Sequence, residues 1–89
     1  MADDDFAGCV RALLYPVQFE PDPMTGVDRV LEKVIGAGAL GMTPPQYLEA
    51  IRRAIASDTN LAELLPQPHP DAAVRRFLAE LARRLEESA

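Results

Sequence analysis

The stretch that decides the fold runs from Thr25 to Ile55 and reads TGVDRVLEKVIGAGALGMTPPQYLEAIRRAI. On both sides of its glycine-rich centre, apolar residues recur every three or four positions, which is the spacing of one buried helix face. Two amphipathic helices are therefore predicted, one over about 26–35 and one from Pro44 onward. The turn between them spans Gly36–Gly41, and we expect the rest of the chain to pack on this helical hairpin.

The second helix of the hairpin has a nearly complete start signal. Thr43 fits the N-cap, Pro44 the first helical position and Gln46 the third, which together form a Thr-x-x-Gln capping box. Met42 and Tyr47 occupy the two positions of a hydrophobic staple. The sequence thus predicts a well-defined helix start two residues beyond the glycine turn.

The first helix of the hairpin has weaker boundary signals. Thr25 and Asp28 are spaced as in a capping box, although Asp replaces the usual Glu or Gln. Gly36 and Gly38 follow the last apolar position, where glycine often supplies the left-handed conformation that ends a helix.

Other segments also carry helical patterns. A helix is predicted over about 4–15, ended by Pro16, and a longer one over about 71–87 with Asp71 as N-cap. Leucines within 61–65 fit one or two helical turns. The alternating prolines of PQPHP, at 66–70, predict an extended connector.

The Pro-rich stretch at about 16–24 is predicted to be an ordered loop. Val17 and Phe19 alternate with polar residues, so we expect both side chains to lie against the core. An α+β alternative would make 17–19 a strand, but no partner strand is visible. The prediction is therefore an all-α fold: one domain over 1–89, a compact bundle of four main helices plus one short helix. For 89 residues the radius of gyration should be roughly 12 Å.

The charge balance restricts the partners. Net charge is −5 and the isoelectric point about 4.7, which disfavours nucleic acid and anionic membranes and favours basic proteins. The start of the chain is acidic where a secretion signal would be basic, and no apolar run could span a membrane. One cysteine fits a reducing compartment, so a cytoplasmic location is expected.

Three features could suggest an enzyme, and each has a simpler interpretation. Gly36–Gly41 spells G-x-G-x-x-G, but a dinucleotide site needs a preceding strand and a helix that begins within the glycines. Cys9 falls on the apolar stripe of the first helix, which predicts a buried thiol rather than a nucleophile. His69 lies between two prolines, which predicts an exposed loop histidine. We therefore expect no enzyme and no catalytic, cofactor or metal site.

The segment Gly41–Tyr47, GMTPPQY, resembles the G-[ML]-[ST]-P-x-x-Y segment of AraC-type helix-turn-helix regulators. In that family an arginine usually follows the tyrosine, whereas Leu48 stands here. The resemblance implies an alternative function, a small nucleic-acid-binding regulator that uses residues 25–57. Arg52 and Arg53 would then contact phosphate, although the acidic balance disfavours this alternative.

The preferred hypothesis is a non-catalytic protein-binding module. It follows by analogy with small acidic helical bacterial proteins that act as inhibitors, immunity proteins, antitoxins or adaptors. Its partner would be a protein with a basic surface, and Phe19 or Tyr15 would serve as an exposed aromatic anchor. For Phe19 this exposed position is the alternative to the core contact expected above. The candidate partner-binding residues are Asp3, Asp4, Asp5, Phe19, Glu20, Asp22, Asp28 and Glu32.

Two further interactions stay open at this stage. The arginine pairs of the second half either bind neighbouring glutamates or form a second binding face; they are Arg52, Arg53, Arg75, Arg76, Arg83 and Arg84. The C-terminal helix could also mediate a homodimer if its apolar face exceeds what the core can cover.

Overall fold

Four α-helices form the frame of the molecule in a computed structural model that describes residues 6–38, 41–65 and 67–88. Helix α1 covers Ala7–Leu14, α2 Val27–Val30, α3 Pro44–Ala56 and α4 Asp71–Ser88. Short 3₁₀ turns lie at Tyr15–Val17, Pro23–Gly26 and Leu61–Leu64, and a π-helical turn over Leu31–Ile35 extends α2. The predicted all-α class is confirmed, with four main helices and a short helical turn before the last of them.

The core lies where α3 packs against both α4 and α1. Helix α2 packs on α4 more than on α3, so the two arms of the 25–55 hairpin are not each other's main partners. The expected arrangement around the hairpin is wrong in this respect, because α4 is long enough to serve as the shared packing surface. The Cα radius of gyration is 11.6 Å, close to the expected value.

The start of α3 follows the predicted capping box. The Thr43 hydroxyl accepts a hydrogen bond from the Gln46 N–H at 3.4 Å, and the Gln46 side chain accepts one from the Thr43 N–H at 2.8 Å. Tyr47 is fully buried, and Met42 packs at the edge of the core. Two of the N–H groups that the helix start leaves unpaired are thus satisfied locally.

The start of α2 differs from the prediction. Thr25 does not cap with Asp28; its hydroxyl donates to the carbonyl of Asp22 at 2.7 Å. The Asp22 carboxylate instead caps the 3₁₀ turn Pro23–Gly26 that leads into α2, since it accepts from the Met24 N–H at 3.0 Å. An aspartate directly before a proline is a better start signal than a threonine followed by glycine.

The end of α2 uses its glycines in two ways. The N–H of Gly36 donates to the Leu31 carbonyl at 2.7 Å, and a Cβ there would lie 2.9 Å from the carbonyl oxygens of Leu31 and Glu32. With φ at −65°, Gly36 is not left-handed, so that part of the prediction is wrong. Gly38 has the expected positive φ of 66°, and Gly41 has one of 69°.

Asp71 belongs to the first turn of α4 instead of capping it. Its carboxylate accepts from the Leu61 N–H and from Arg75 Nε, each at 2.7 Å. The predicted N-cap is therefore wrong, because the side chain is already used to fasten the turn Leu61–Leu64 to α4. Partial burial would raise the pKa of Asp71, but these two hydrogen bonds and the charge of Arg75 outweigh it and lower the pKa.

Arg75 continues this fastening to the end of α3. Its guanidinium donates to the carbonyls of Ile55 at 2.8 Å, Ser57 at 3.0 Å and Thr59 at 2.8 Å. The Ile55 carbonyl is one that a helix terminus leaves without an intrahelical partner, and the other two belong to the loop that follows. One arginine thus joins the end of α3, the following loop and the start of α4.

Candidate interaction surface

Two aromatic rings stand out from the molecule on one short segment, residues 15–20, which we name the aromatic turn. The exposed fraction is 67% for Tyr15 and 90% for Phe19, whereas Val17 between them is fully buried. The expectation that Phe19 lies against the core is therefore wrong. Tyr15–Val17 is a 3₁₀ turn and Gln18 continues with helical angles. Side chains two positions apart share a face only in an extended strand.

Arg29 of α2 holds the aromatic turn from one side. Its guanidinium donates to the Pro16 carbonyl at 3.2 Å and to the Glu20 carboxylate at 3.0 Å. The two contacts lie on either side of the buried Val17. A single side chain therefore fixes both ends of the loop that separates the two rings.

His69 holds the same turn from inside. Its exposed fraction is 6%, and its Nε2 lies 3.0 Å from the Val17 carbonyl. Since a carbonyl can only accept, Nε2 must carry the hydrogen. The prediction of an exposed loop histidine is wrong, and the ring serves here as a buried link between segments that are far apart in the chain.

The position of His69 comes from the glutamine two residues earlier. Gln67 Nε2 donates to the carbonyls of Ala62 at 3.2 Å and His69 at 2.8 Å, and its side-chain oxygen accepts from the His69 N–H at 2.8 Å. These bonds turn the proline-rich connector inward. Pro66 lies outside the described residues, so the predicted extended form of 66–70 is described only in part.

Gly26 allows the turn Pro23–Gly26 to approach the aromatic turn closely. A Cβ at Gly26 would lie only 2.3 Å from Val17 Cγ1, closer than any real side-chain contact. Val17 therefore packs on the glycine itself. Together with Arg29 and His69, this contact holds the backbone of the aromatic turn while both rings stay in solvent.

The predicted acidic patch is only partly gathered. Glu20 is the last residue of the aromatic turn and Asp22 follows it, whereas Asp28 lies on α2 and Glu32 on the π-helical turn. Several face a cation: Glu20 pairs with Arg29 at 3.0 Å, Asp28 with Arg84 at 2.8 Å, and Glu32 with Lys33 at 4.0 Å. Asp3, Asp4 and Asp5 lie outside the described residues. The pairs of Asp28 and Glu32 are exposed and therefore weak, so these two carboxylates can exchange partners; the binding role of the whole set stays a prediction.

The arginine pairs of the second half mostly bind glutamates of their own chain. Arg52 pairs with Glu86, and Arg53 with Glu49 at 3.3 Å. Near the end of α4, hydrogen bonds from Arg83 and Arg84 lower the pKa of Glu80 to about 2. The described contacts therefore match the ion-pair interpretation, and the nucleic-acid alternative, with phosphate bound by Arg52 and Arg53, stays an untested prediction.

The cysteine and the glycine string, which could suggest an enzyme from the sequence, lie in positions that explain them structurally. Cys9 is buried as predicted, and burial raises the pKa of its thiol to about 11, so the nucleophilic thiolate is scarce at neutral pH. The residues before Gly36 are helical rather than a strand, and α3 starts only at Pro44; two residues of the G-x-G-x-x-G string, Ala39 and Leu40, lie outside the described ranges.

The described residues contain neither a metal-binding group nor a membrane-spanning helix. Within 6–38, 41–65 and 67–88, no group of three or more His, Cys, Asp or Glu side chains is placed to hold a metal ion. In the same part of the chain, no helix combines the length and apolar character needed to cross a membrane.

The apolar stripe of α4 is used up inside the molecule. Its members are all buried: Val74, Phe77, Leu78, Leu81, Ala82 and Leu85. The described part of α4 therefore offers no surplus apolar face for a homodimer. A homodimer through the C-terminal helix stays a prediction, and the described residues of α4 show no exposed apolar face that would support it.

A second surface feature was not anticipated from the sequence. An open groove of about 370 Å³ runs along the first turns of α3, lined by Met42, Pro45, Gln46, Glu49, Ala50 and Arg53. From the sequence, Met42 and Gln46 are expected only as parts of the helix start. The available signal was Pro45, an apolar residue on the solvent side of an amphipathic helix.

Comparison with known protein families, with curated proteins and with solved structures finds no match to this chain. The function of the protein is therefore inferred from the geometry of the aromatic turn and of its supporting residues.

Proposed function

We propose that the protein is a non-catalytic protein-binding module that anchors a partner protein through its aromatic turn. The observation that carries this proposal is the presentation of two exposed rings, Tyr15 and Phe19, on a backbone that Arg29 and His69 hold in place. Aromatic side chains each bury about 150–250 Å² when a pocket encloses them. Tyrosine and phenylalanine are both enriched in the core of interfaces, and tyrosine is among the residues that often dominate the binding energy.

The fixed backbone matters because ordering a flexible loop opposes binding. Each side chain immobilised on association costs about 0.5–1.5 kcal/mol, and backbone ordering adds to this. Contacts from Arg29, His69 and Gly26 make that ordering part of folding instead. The rings can then enter a partner's pocket with little further loss of conformational entropy.

The charges around the rings indicate the chemistry of the partner. Glu20 and Asp22 follow Phe19 closely in the chain, and the whole chain carries a net charge of −5. A complementary partner would have an apolar pocket for the rings and basic residues at its rim. Such a surface fits the target of an inhibitor, immunity protein, antitoxin or adaptor acting in the cytoplasm, which is the class we propose by analogy.

The proposal is tested by quantitative affinity capture from a lysate of the source organism, followed by mass spectrometry. Bait proteins would be the wild type, Phe19→Ala, Tyr15→Ala and the control Glu63→Gln, which changes an exposed side chain on the turn Leu61–Leu64. A specific partner should be recovered equally by wild type and Glu63→Gln and at least tenfold less by Phe19→Ala.

Two outcomes would overturn the proposal. One is a partner recovered equally well with the Phe19→Ala bait, which would place the interaction elsewhere on the molecule. The other is the absence of any protein enriched over an unrelated acidic bait of the same size. Circular dichroism of each bait ensures that a loss of capture is not a loss of folding.

A further inference from the structure

The carbonyl of Val17 closes the part of the aromatic turn that presents Phe19. It accepts a hydrogen bond from the Glu20 N–H at 3.1 Å, which leaves Phe19 at the third position of a four-residue turn. It also accepts a hydrogen bond from Nε2 of the buried His69 ring at 3.0 Å. A carbonyl oxygen has two lone pairs, so these two donors fill its capacity. The direction in which the Phe19 ring leaves the surface is therefore tied to the position of His69.

Gln67 binds both backbone polar groups of His69. Its Nε2 donates to the His69 carbonyl at 2.8 Å, and its Oε1 accepts from the His69 N–H at 2.8 Å. The same Nε2 donates to the Ala62 carbonyl at 3.2 Å, which ties the connector to the turn Leu61–Leu64. An amide nitrogen carries two hydrogens, and these bonds use both of them. A carboxylate of the same length has no donor and could make only one of the three contacts.

The prolines around Gln67 explain why a side chain performs this task. Positions 66, 68 and 70 are prolines, which have no N–H, so only Gln67 and His69 offer backbone donors within 66–70. Such a segment cannot be fixed by a regular series of backbone hydrogen bonds. The amide side chain of Gln67 supplies the donors that the prolines lack.

We propose that Gln67 is a positioning residue of the aromatic turn. Acting through His69 and the Val17 carbonyl, it sets how rigidly Phe19 is presented, although Gln67 itself lies outside the aromatic turn. This inference rests on the proposed function, because it names the residue that controls the binding surface from a distant part of the chain.

The support from Arg29 is expected to be the weaker one. The Arg29 side chain is 50% exposed, and its ion pair with Glu20 is partly open to solvent, which makes such pairs weak. Withdrawal of the His69 ring would instead remove a donor from the carbonyl of the fully buried Val17, and an unpaired buried acceptor is costly. The order of the aromatic turn should therefore depend on Gln67 more than on Arg29.

The inference is tested by ¹⁵N relaxation of the backbone amides of residues 18–20. Gln67→Glu removes both donors and places a carboxylate against two carbonyl oxygens, whereas Gln67→Met removes all three bonds without adding a charge. The order parameters of these amides should fall from about 0.85 in the wild type to below about 0.7 in both variants, while those of α4 stay unchanged. Gln46→Glu is the matched control, because it makes the same chemical change but keeps the acceptor of the α3 capping box. Its aromatic turn should stay as ordered as that of the wild type.

Two further measurements test the route through His69. In the wild type the Nε2 proton of His69 should give a slowly exchanging imidazole N–H signal, since it is buried and bonded to a carbonyl. That signal should disappear in both Gln67 variants. The double variant Gln67→Glu, His69→Leu should also be no looser at residues 18–20 than His69→Leu alone, because residues that act in one chain of contacts are not additive.

The consequence for binding is measured by the same affinity capture from a lysate. Gln67→Glu should recover about three- to tenfold less of the partner than the wild type does, because ordering the turn then opposes association. Gln46→Glu should recover as much as the wild type. A loosened aromatic turn with undiminished capture would overturn the claim that presentation of Phe19 controls binding.

Three spectroscopic results would overturn the inference whether or not a partner is found. They are an aromatic turn that stays rigid in both Gln67 variants, a His69 N–H signal that persists in them, and a double variant looser than His69→Leu. A rigid turn in these variants together with loss of capture by Phe19→Ala would leave the proposed function intact. Absence of any captured partner together with a loosened turn would overturn the proposed function alone.

Discussion

At the scale of single residues, Arg75 is a polar side chain whose loss should lower the stability of the fold. Its guanidinium donates to one carbonyl in the last turn of α3, to two in the loop after it and to the carboxylate of Asp71. Arg75→Met keeps much of the side-chain length but leaves these acceptors unpaired. We expect a loss of about 2–4 kcal/mol in the free energy of unfolding, measured by urea denaturation. Arg76→Met, at the next and exposed position, should change it by less than about 0.5 kcal/mol; equal effects of the two variants would contradict this role.

Substitution of glycine by alanine should change the stability of the protein in opposite directions at two positions. At Gly26 an added methyl group would overlap Val17 Cγ1, at 2.3 Å, and we expect Gly26→Ala to cost about 1–3 kcal/mol. At Gly8, exposed on α1, nothing lies within 4 Å of the added atom. Gly8→Ala should therefore stabilise the protein by about 0.5–1 kcal/mol through helix propensity. Thermal and urea unfolding of both variants measure the two changes in stability. A destabilised Gly8→Ala or an unaffected Gly26→Ala would contradict the packing described.

At the scale of the element, the capping box of α3 should have a measurable effect. Thr43→Ala removes the acceptor for the Gln46 N–H and should lower the free energy of unfolding by about 0.5–2 kcal/mol. Thr43→Ser keeps the hydroxyl and should stay close to wild type. Urea denaturation followed by circular dichroism measures both. If Ser and Ala are equally destabilising, the loss comes from the threonine methyl group and not from the cap.

The elements that the sequence predicted well are those with local signals. The capping box of α3 depends on residues within four positions, and the stripe of α4 on a simple repeat. The aromatic turn could not be predicted in the same way. Phe19 is exposed because the chain forms a 3₁₀ turn there, and His69 is buried because its acceptor, the Val17 carbonyl, lies 52 residues away. The chemical character of the candidate residues was readable from the sequence, but their supporting contacts were not.

At the scale of the whole molecule, carboxylates on α4 link its stability to pH. Asp71 fastens the turn Leu61–Leu64 to α4, while Glu80 binds Arg84, which also reaches Asp28 of α2. Hydrogen bonds from Arg83 and Arg84 lower the pKa of Glu80 from 4.5 to about 2. The pKa of Asp71 is lowered from 3.8 in the same direction. The folded state therefore binds these protons less readily than the unfolded chain does.

The sign of the pH effect follows from this difference. A group whose pKa is lowered on folding contributes its full stability above the unfolded value and loses it as the pH falls through the folded value. For Glu80 that window runs from pH 4.5 down to about 2. We expect the wild-type melting temperature to fall as the pH is lowered across this window. The double variant Asp71→Asn, Glu80→Gln should be less stable than the wild type at neutral pH, but its melting temperature should depend less on pH below 4.5. Melting curves of the two proteins over this range measure the difference; parallel profiles would mean that neither carboxylate couples folding to acid, and that α4 is held by its buried apolar stripe alone.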